Sequence, residues 1–188
     1  MLTHLALGAT SLGAVAATGC AWRLGRQLRT DPLTGLGNRA ALELAFRRRP
    51  RHGLVAVAVG DMNGFKALND THGHRFGDRV LIEVAHALRR QSRRGEVPVR
   101  LHGDEFAVLL PGVASARTAE HRVRDLQNAV SAITRVNGQP VEVGMALGVM
   151  TAPVDTAALS ALLASADDRM YGDKHTTARS DVLIPQAQ

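Results

Sequence analysis

Residues Arg100-Leu101-His102-Gly103-Asp104-Glu105-Phe106-Ala107-Val108-Leu109-Leu110 set two adjacent carboxylates between two short apolar runs. Val97 to Leu101 reads as one strand and Phe106 to Leu110 as another, and so few residues separate them that only a tight hairpin can join them, with Gly103 supplying backbone freedom. This feature constrains the fold most, because it fixes an antiparallel strand pair in the middle of the chain and puts its tip at a sheet edge. An apolar sheet has no structural use for paired acids at such a tip unless something positive arrives there. A divalent metal carrying a nucleotide phosphate is the obvious candidate. For an isolated Asp-Glu pair, a solvated polar turn is the bland alternative.

The rest of the 188-residue sequence narrows the choice. Its length suits one domain with a true core plus an appendage. The single Cys20 excludes an intrachain disulfide. Net charge is +6, and of 23 basic Lys and Arg residues only Lys66 and Lys174 are lysine. No aromatic residues interleave with the arginines and no zinc-finger spacing occurs, so nucleic acid is not the expected partner.

Leu2 to Trp22 carries no Asp, Glu, Lys or Arg and is followed at once by Arg23, Arg26 and Arg29. That run is long enough to cross a bilayer as a helix, and the arginines on its C-terminal side keep the following chain in the cytoplasm. Residues 1–29 are therefore expected to form a membrane-anchor helix with a juxtamembrane segment, single-pass in the cytoplasmic membrane. Residues 30–179 form the domain and 180–188 a tail, whose Val182 to Ile184 reads as a short edge strand.

Within the domain, Asp31 to Gly37 is a Pro- and Gly-rich break, and Asn38 caps a helix from Arg39 to about Arg49. Leu54 to Val59 is continuously apolar and reads as a strand buried on both faces, with Asp61 just beyond its end. Phe65 to Asn69 makes one helical turn and Gly73 to Gly77 a loop. Asp78 leads a helix to about Arg94, and Ser115 caps another from Ala116 to about Ser131. Val141 to Met150 is a strand, and Thr156 opens the last helix. The fold class expected is α/β (α+β): a mixed central β-sheet flanked by helices.

Four segments together resemble one family. Asp31-Pro-Leu-Thr-Gly-Leu-Gly-Asn-Arg39, the run from Asp61 to Asp78, Arg100 to Phe106, and Ala166 to Tyr171 with Lys174 are similar to the motifs of GGDEF domains, the diguanylate cyclases. The resemblance spans roughly Thr30 to Lys174. It implies a palm-like nucleotidyl cyclase architecture that condenses two GTP into cyclic di-GMP plus pyrophosphate, each 3′-hydroxyl attacking the other's α-phosphate in a homodimer with Mg²⁺ or Mn²⁺. By the same resemblance, Asp61, the Met62 carbonyl, Asp104 and Glu105 bind metal, Asp104 being the candidate base. Asn69 and Asp78 read guanine, Lys66 and Lys174 clamp the β- and γ-phosphates, and His102 and Gly103 lie against the substrate. His72 and His74 are expected to be structural, because imidazole nitrogens suit Mg²⁺ less well than oxygen.

Three positions depart from the family pattern. His102 replaces its first Gly, where a Cβ and an imidazole can crowd the nucleotide. Arg93-Arg94-Gly95-Glu96 stands where a product-inhibition site is usually written Arg-x-x-Asp, making Arg93 and Glu96 the candidate pair there; the alternative is a helix C-terminus with its Gly cap. Ala178 replaces an Arg that often follows the phosphate lysine. The competing expectation is a non-catalytic GGDEF module that binds GTP or cyclic di-GMP and signals through partners.

Overall fold

The computed structural model describes residues 27–180, with side chains to residue 172. The expected anchor run Leu2 to Trp22 and the tail strand Val182 to Ile184 lie outside the described residues. Among those described, no helix is long and apolar enough to cross a membrane.

The elements in order are α1 (Arg39–Arg47), β1 (Leu54–Met62), α2 (Phe65–His72), α3 (His74–Gln91), β2 (Val97–His102), β3 (Glu105–Val113), α4 (Ala116–Ser131), β4 (Arg135–Val136), β5 (Gln139–Pro140), β6 (Met145–Pro153) and α5 (Leu159–Ser180). Four strands form one sheet in the order β2-β3-β1-β6. Every pairing between them is antiparallel. The sheet is thus not mixed as expected; among the described residues the parallel contact is an isolated bridge between Gly37 and Val99. The continuous apolar run of β1 comes from its central place with both faces covered, which needs no parallel neighbour.

Alternation along β1 and β3 divides the core in two. Ala56, Ala58, Phe106, Val108 and Leu110 face a cluster with Val80, Leu81, Val84 and Leu88 of α3 and Val123 and Leu126 of α4. Val55, Val57, Val59, Ala107 and Leu109 face the opposite side, against Leu42 and Phe46 of α1 and Leu162 and Ala166 of α5. The result is three layers: two helices, a sheet, and two helices.

Caps appear where side chains demand them. Asn38 Oδ1 accepts from the Ala41 amide at 3.2 Å and Ser115 Oγ from the Thr118 amide at 3.1 Å. Other boundaries move. α1 stops at Arg47, and Arg49 turns back to donate to the carbonyls of Phe46, Val154 and Ala157, which uses one of the crowded arginines structurally. α3 begins at His74, four residues before Asp78, because Gly73 alone breaks it from α2. β6 starts at Met145 and α5 at Leu159, both later than the expected Val141 and Thr156. A small hairpin of β4 and β5 had no counterpart in the sequence reading.

Candidate active site

β1 runs past its apolar stretch to Met62, so Asp61 lies inside the ladder, directly opposite Glu105 at the start of β3. Glu105 in turn lies opposite His102 at the end of β2. Three neighbouring strands therefore bring His102, Glu105 and Asp61 into one row, and residues directly opposite on antiparallel strands share a face. His102 Nε2 stands 3.0 Å from Glu105 Oε2, with side chains 70% and 40% exposed. Gly103 takes a φ of +50° in the turn between the strands, and Asp104 beside it is partly buried. Met62 is buried and ends β1 next to Asp61.

The hairpin tip is braced from an unexpected quarter. Arg100 Nε donates to the Gly103 carbonyl at 2.8 Å, while its Nη1 reaches Asp31 Oδ1 and Oδ2 at 3.2 and 3.3 Å. Asp31 Oδ1 also accepts from the Thr34 amide and hydroxyl at 2.8 and 2.6 Å. Burial pushes the Asp31 carboxyl up, but the bonds from Thr34 and Arg100 outweigh it and leave its pKa below the ordinary carboxylate value. Sequence reasoning took Asp31 for a loop motif and gave Arg100 no role. The available signal was an acid in the first motif and an arginine that opens the central one.

α2 and α3 carry the other expected residues. Lys66 is exposed in the first turn of α2, and Asp78 is exposed on α3. Asn69 Oδ1 is buried and has no hydrogen-bond partner. A Cβ at Gly77 would fall 1.9 Å from that oxygen, so only glycine lets α3 approach Asn69 this closely. An orphaned buried acceptor normally has a reason. Lys174 falls in the last part of α5. His72 lies against Phe76 with ring centroids 4.8 Å apart and planes tilted by 36°, and His74 is exposed.

At the other end of β2, the Glu96 carboxylate is engaged. Arg122 donates from Nε and Nη2 to its two oxygens at 2.8 Å each, and the Arg93 amide adds a third bond at 2.8 Å. Arg122 is 3% exposed, and its Nη2 also donates to the Gln91 carbonyl. The Glu96 hydrogen bonds raise the Arg122 pKa further, against the opposing effect of its burial. The Arg93 guanidinium pairs with Asp125 at 3.4 Å.

A cavity of about 650 Å³ between α4, β6 and α5, lined by Arg124, Gln127, Leu147 and Arg169 among others, includes none of the expected site residues whose side chains are described. Among the described residues no three His, Cys, Asp or Glu side chains already converge to hold a metal ion. Asp61 and Glu105, adjacent across one pairing with Asp104 next in sequence, are nonetheless an all-oxygen donor set, which fits a hard cation.

The family model of the diguanylate cyclase GGDEF domain matches residues 28–180. The chain belongs to the GGDEF family. Diguanylate cyclase DgcP of Pseudomonas aeruginosa is 38% identical over 152 residues, covering 77% of this chain and 22% of DgcP. Diguanylate cyclase TpbB of the same species is 36% identical over 154 residues, covering 79% of this chain and 35% of TpbB. This GGDEF chain thus spans between a fifth and about a third of the length of these relatives. The crystal structure of diguanylate cyclase SiaD with its activator SiaC, also from Pseudomonas aeruginosa, superposes with a TM-score of 0.74 at 27% identity, over 89% of this chain and 66% of SiaD.

Proposed function

We propose that this GGDEF chain is a diguanylate cyclase that condenses two GTP into cyclic di-GMP and pyrophosphate, working as a homodimer with one GTP per subunit. The observation that carries the reading is the pairing of Asp61 with Glu105 across β1 and β3, with Asp104 at the adjoining turn. Asp61, the Met62 carbonyl, Asp104 and Glu105 would hold Mg²⁺, which when bound neutralises phosphate charge and acidifies the attacking hydroxyl. Asp104 accepts the 3′-hydroxyl proton. Lys66 and Lys174 hold the β- and γ-phosphates as point charges. Asp78 accepts from the guanine N1–H and N2–H, and Asn69 contributes to the same edge. The buried, unpartnered Asn69 oxygen supports that assignment, since a ligand donor would satisfy it.

The uncharged run Leu2 to Trp22, followed by three arginines, supports a single-pass anchor with the catalytic domain cytoplasmic. For Arg93 and Glu96 to form a product-inhibition site, the ligand would have to displace Arg122 from Glu96.

The contact between His102 and Glu105 favours one second reading, a GTP- or cyclic di-GMP-binding module without turnover, because it engages an acid the chemistry needs. Incubation of the purified chain with GTP and Mg²⁺, followed by chromatography, separates the two. Cyclic di-GMP that disappears in Asp104→Ala establishes the cyclase. No product from folded, dimeric protein that still binds GTP establishes the module.

A further inference from the structure

β6 closes the sheet order β2-β3-β1-β6, and among the described residues no strand pairs with its outer edge. A nine-residue edge is a ready template for another strand. Side chains occupy part of it. Gln127 Nε2 donates to the Met145 carbonyl at 3.2 Å, and Arg169 Nη1 to the Val149 carbonyl at 3.1 Å. Backbone groups two residues apart turn to the same side of a strand, so the Leu147 peptide between them faces outward too. α4 and α5 cover opposite faces of the sheet, and the cavity of about 650 Å³ is the slot between them at this edge. Val123, Leu147 and Val149 give it an apolar lining. Tyr171, one residue from the Gly172 that lines the slot, is a large apolar side chain left 54% exposed.

The chain carries a strand of the right kind at the right distance. After β6, α5 runs back along it, so that Gly172 lines the slot together with Leu147 and the helix ends at Ser180. The turns from Gly172 to Ser180 carry the helix about 12 Å beyond the slot. Asp181 to Ile184, extended, return about 13 Å. Val182, Leu183 and Ile184 thereby draw level with Met145 to Leu147 and run in the direction of β6. A strand, a helix packed on the sheet and a returning strand make a crossover unit whose two strands are parallel. β1 holds the other edge of β6, which leaves the open edge for the return.

We propose that Val182 to Ile184 docks as a fifth strand, parallel to β6, filling the slot and displacing Gln127 from the Met145 carbonyl. Arg169, still capping Val149, marks where the new strand stops. Resting on the reading of Lys174 as a phosphate clamp, the docked tail is a positioning element. It holds the last turns of α5, which carry Lys174, beside Met145 and Ala146, the partners of Met62 and Asp61.

The test is hydrogen exchange on the full chain, read on the segment from Met145 to Thr151, with GTP affinity in Mg²⁺ measured alongside. That segment is expected to exchange about tenfold more slowly in wild type than in a chain ending at Ser180. Leu183→Asp, which keeps the tail but puts a charge in the slot, should lose the same protection. Exchange in β1 and α3 should stay unchanged in both. Both changes should weaken GTP binding about tenfold, as Lys174→Ala does. Equal exchange at β6 in all three chains overturns the docking. Protection that depends on protein concentration assigns the edge to a second copy's tail and overturns docking within one chain. Lost protection with GTP affinity unchanged, where Lys174→Ala weakens it, overturns the link to Lys174. If Lys174→Ala also leaves GTP affinity unchanged, the clamp reading fails, and the exchange alone decides the docking.

Discussion

Glu96 and Glu105 bracket the first half of one hairpin and live under opposite rules. Glu96, just before β2, has a side chain 10% exposed and is matched by a guanidinium 3% exposed, so its charge is fully answered inside the protein. Glu105, at the start of β3, is 40% exposed and meets only an imidazole whose charge is conditional. A buried acid with a permanent cation is part of the frame. An acid left half in water, opposite another acid, is available to something that comes and goes.

Breaking the frame should cost most. Arg122→Met leaves Glu96 buried and uncompensated, and is expected to lose about 3–5 kcal/mol of stability by denaturant titration. The double change Arg122→Met with Glu96→Met should recover most of it, since it removes both charges together. Glu105→Gln should show the reverse: stability within about 0.5 kcal/mol, but turnover of GTP down about 10²–10³-fold. If Glu105→Gln unfolds the chain, the contrast between the two acids is wrong.

Smaller effects sharpen the picture. Asp31→Asn should cost about 1–2 kcal/mol near neutral pH, because it weakens the grip of Arg100 and Thr34. The Asp31 pKa is lowered in the folded state, so its stabilisation is complete above the ordinary value of 3.8 and fades as pH falls through the lowered one. Wild type and Asp31→Asn should accordingly converge in stability under strongly acid conditions. Gly77→Ala drives a Cβ against Asn69 and should raise the KM for GTP about tenfold, or ~1.4 kcal/mol, with kcat little changed. An unaltered KM would remove Asn69 from the guanine site.

Much of this was legible before any coordinates. The hairpin, its acids and the helix capped by Ser115 came from local signals that tertiary packing did not override: apolar runs, a short turn and a capping hydroxyl. Sheet direction was not legible, because a central strand covered on both faces reads the same in parallel and antiparallel sheets. The β4–β5 hairpin was missed although its Asn137-Gly138 turn, with φ of 50° and 79°, announces itself in two letters. Two-residue strands offer no alternation to support that cue. Arg122 was invisible for a different reason: on a helix of frequent arginines, nothing local marks the one whose partner lies 26 residues away.

The grip of Arg100 has a mechanical consequence. One guanidinium holds both the carboxylate of Asp31 and the carbonyl of Gly103, and the Arg100 amide donates to the Gly37 carbonyl at 2.9 Å. The loop from Thr30 to Gly37 and the turn bearing Asp104 are thus tied together, though 69 residues separate the linked side chains of Asp31 and Arg100. The loop that opens the domain and the turn that carries its acids therefore share one anchor, and Arg100→Ala would release both together.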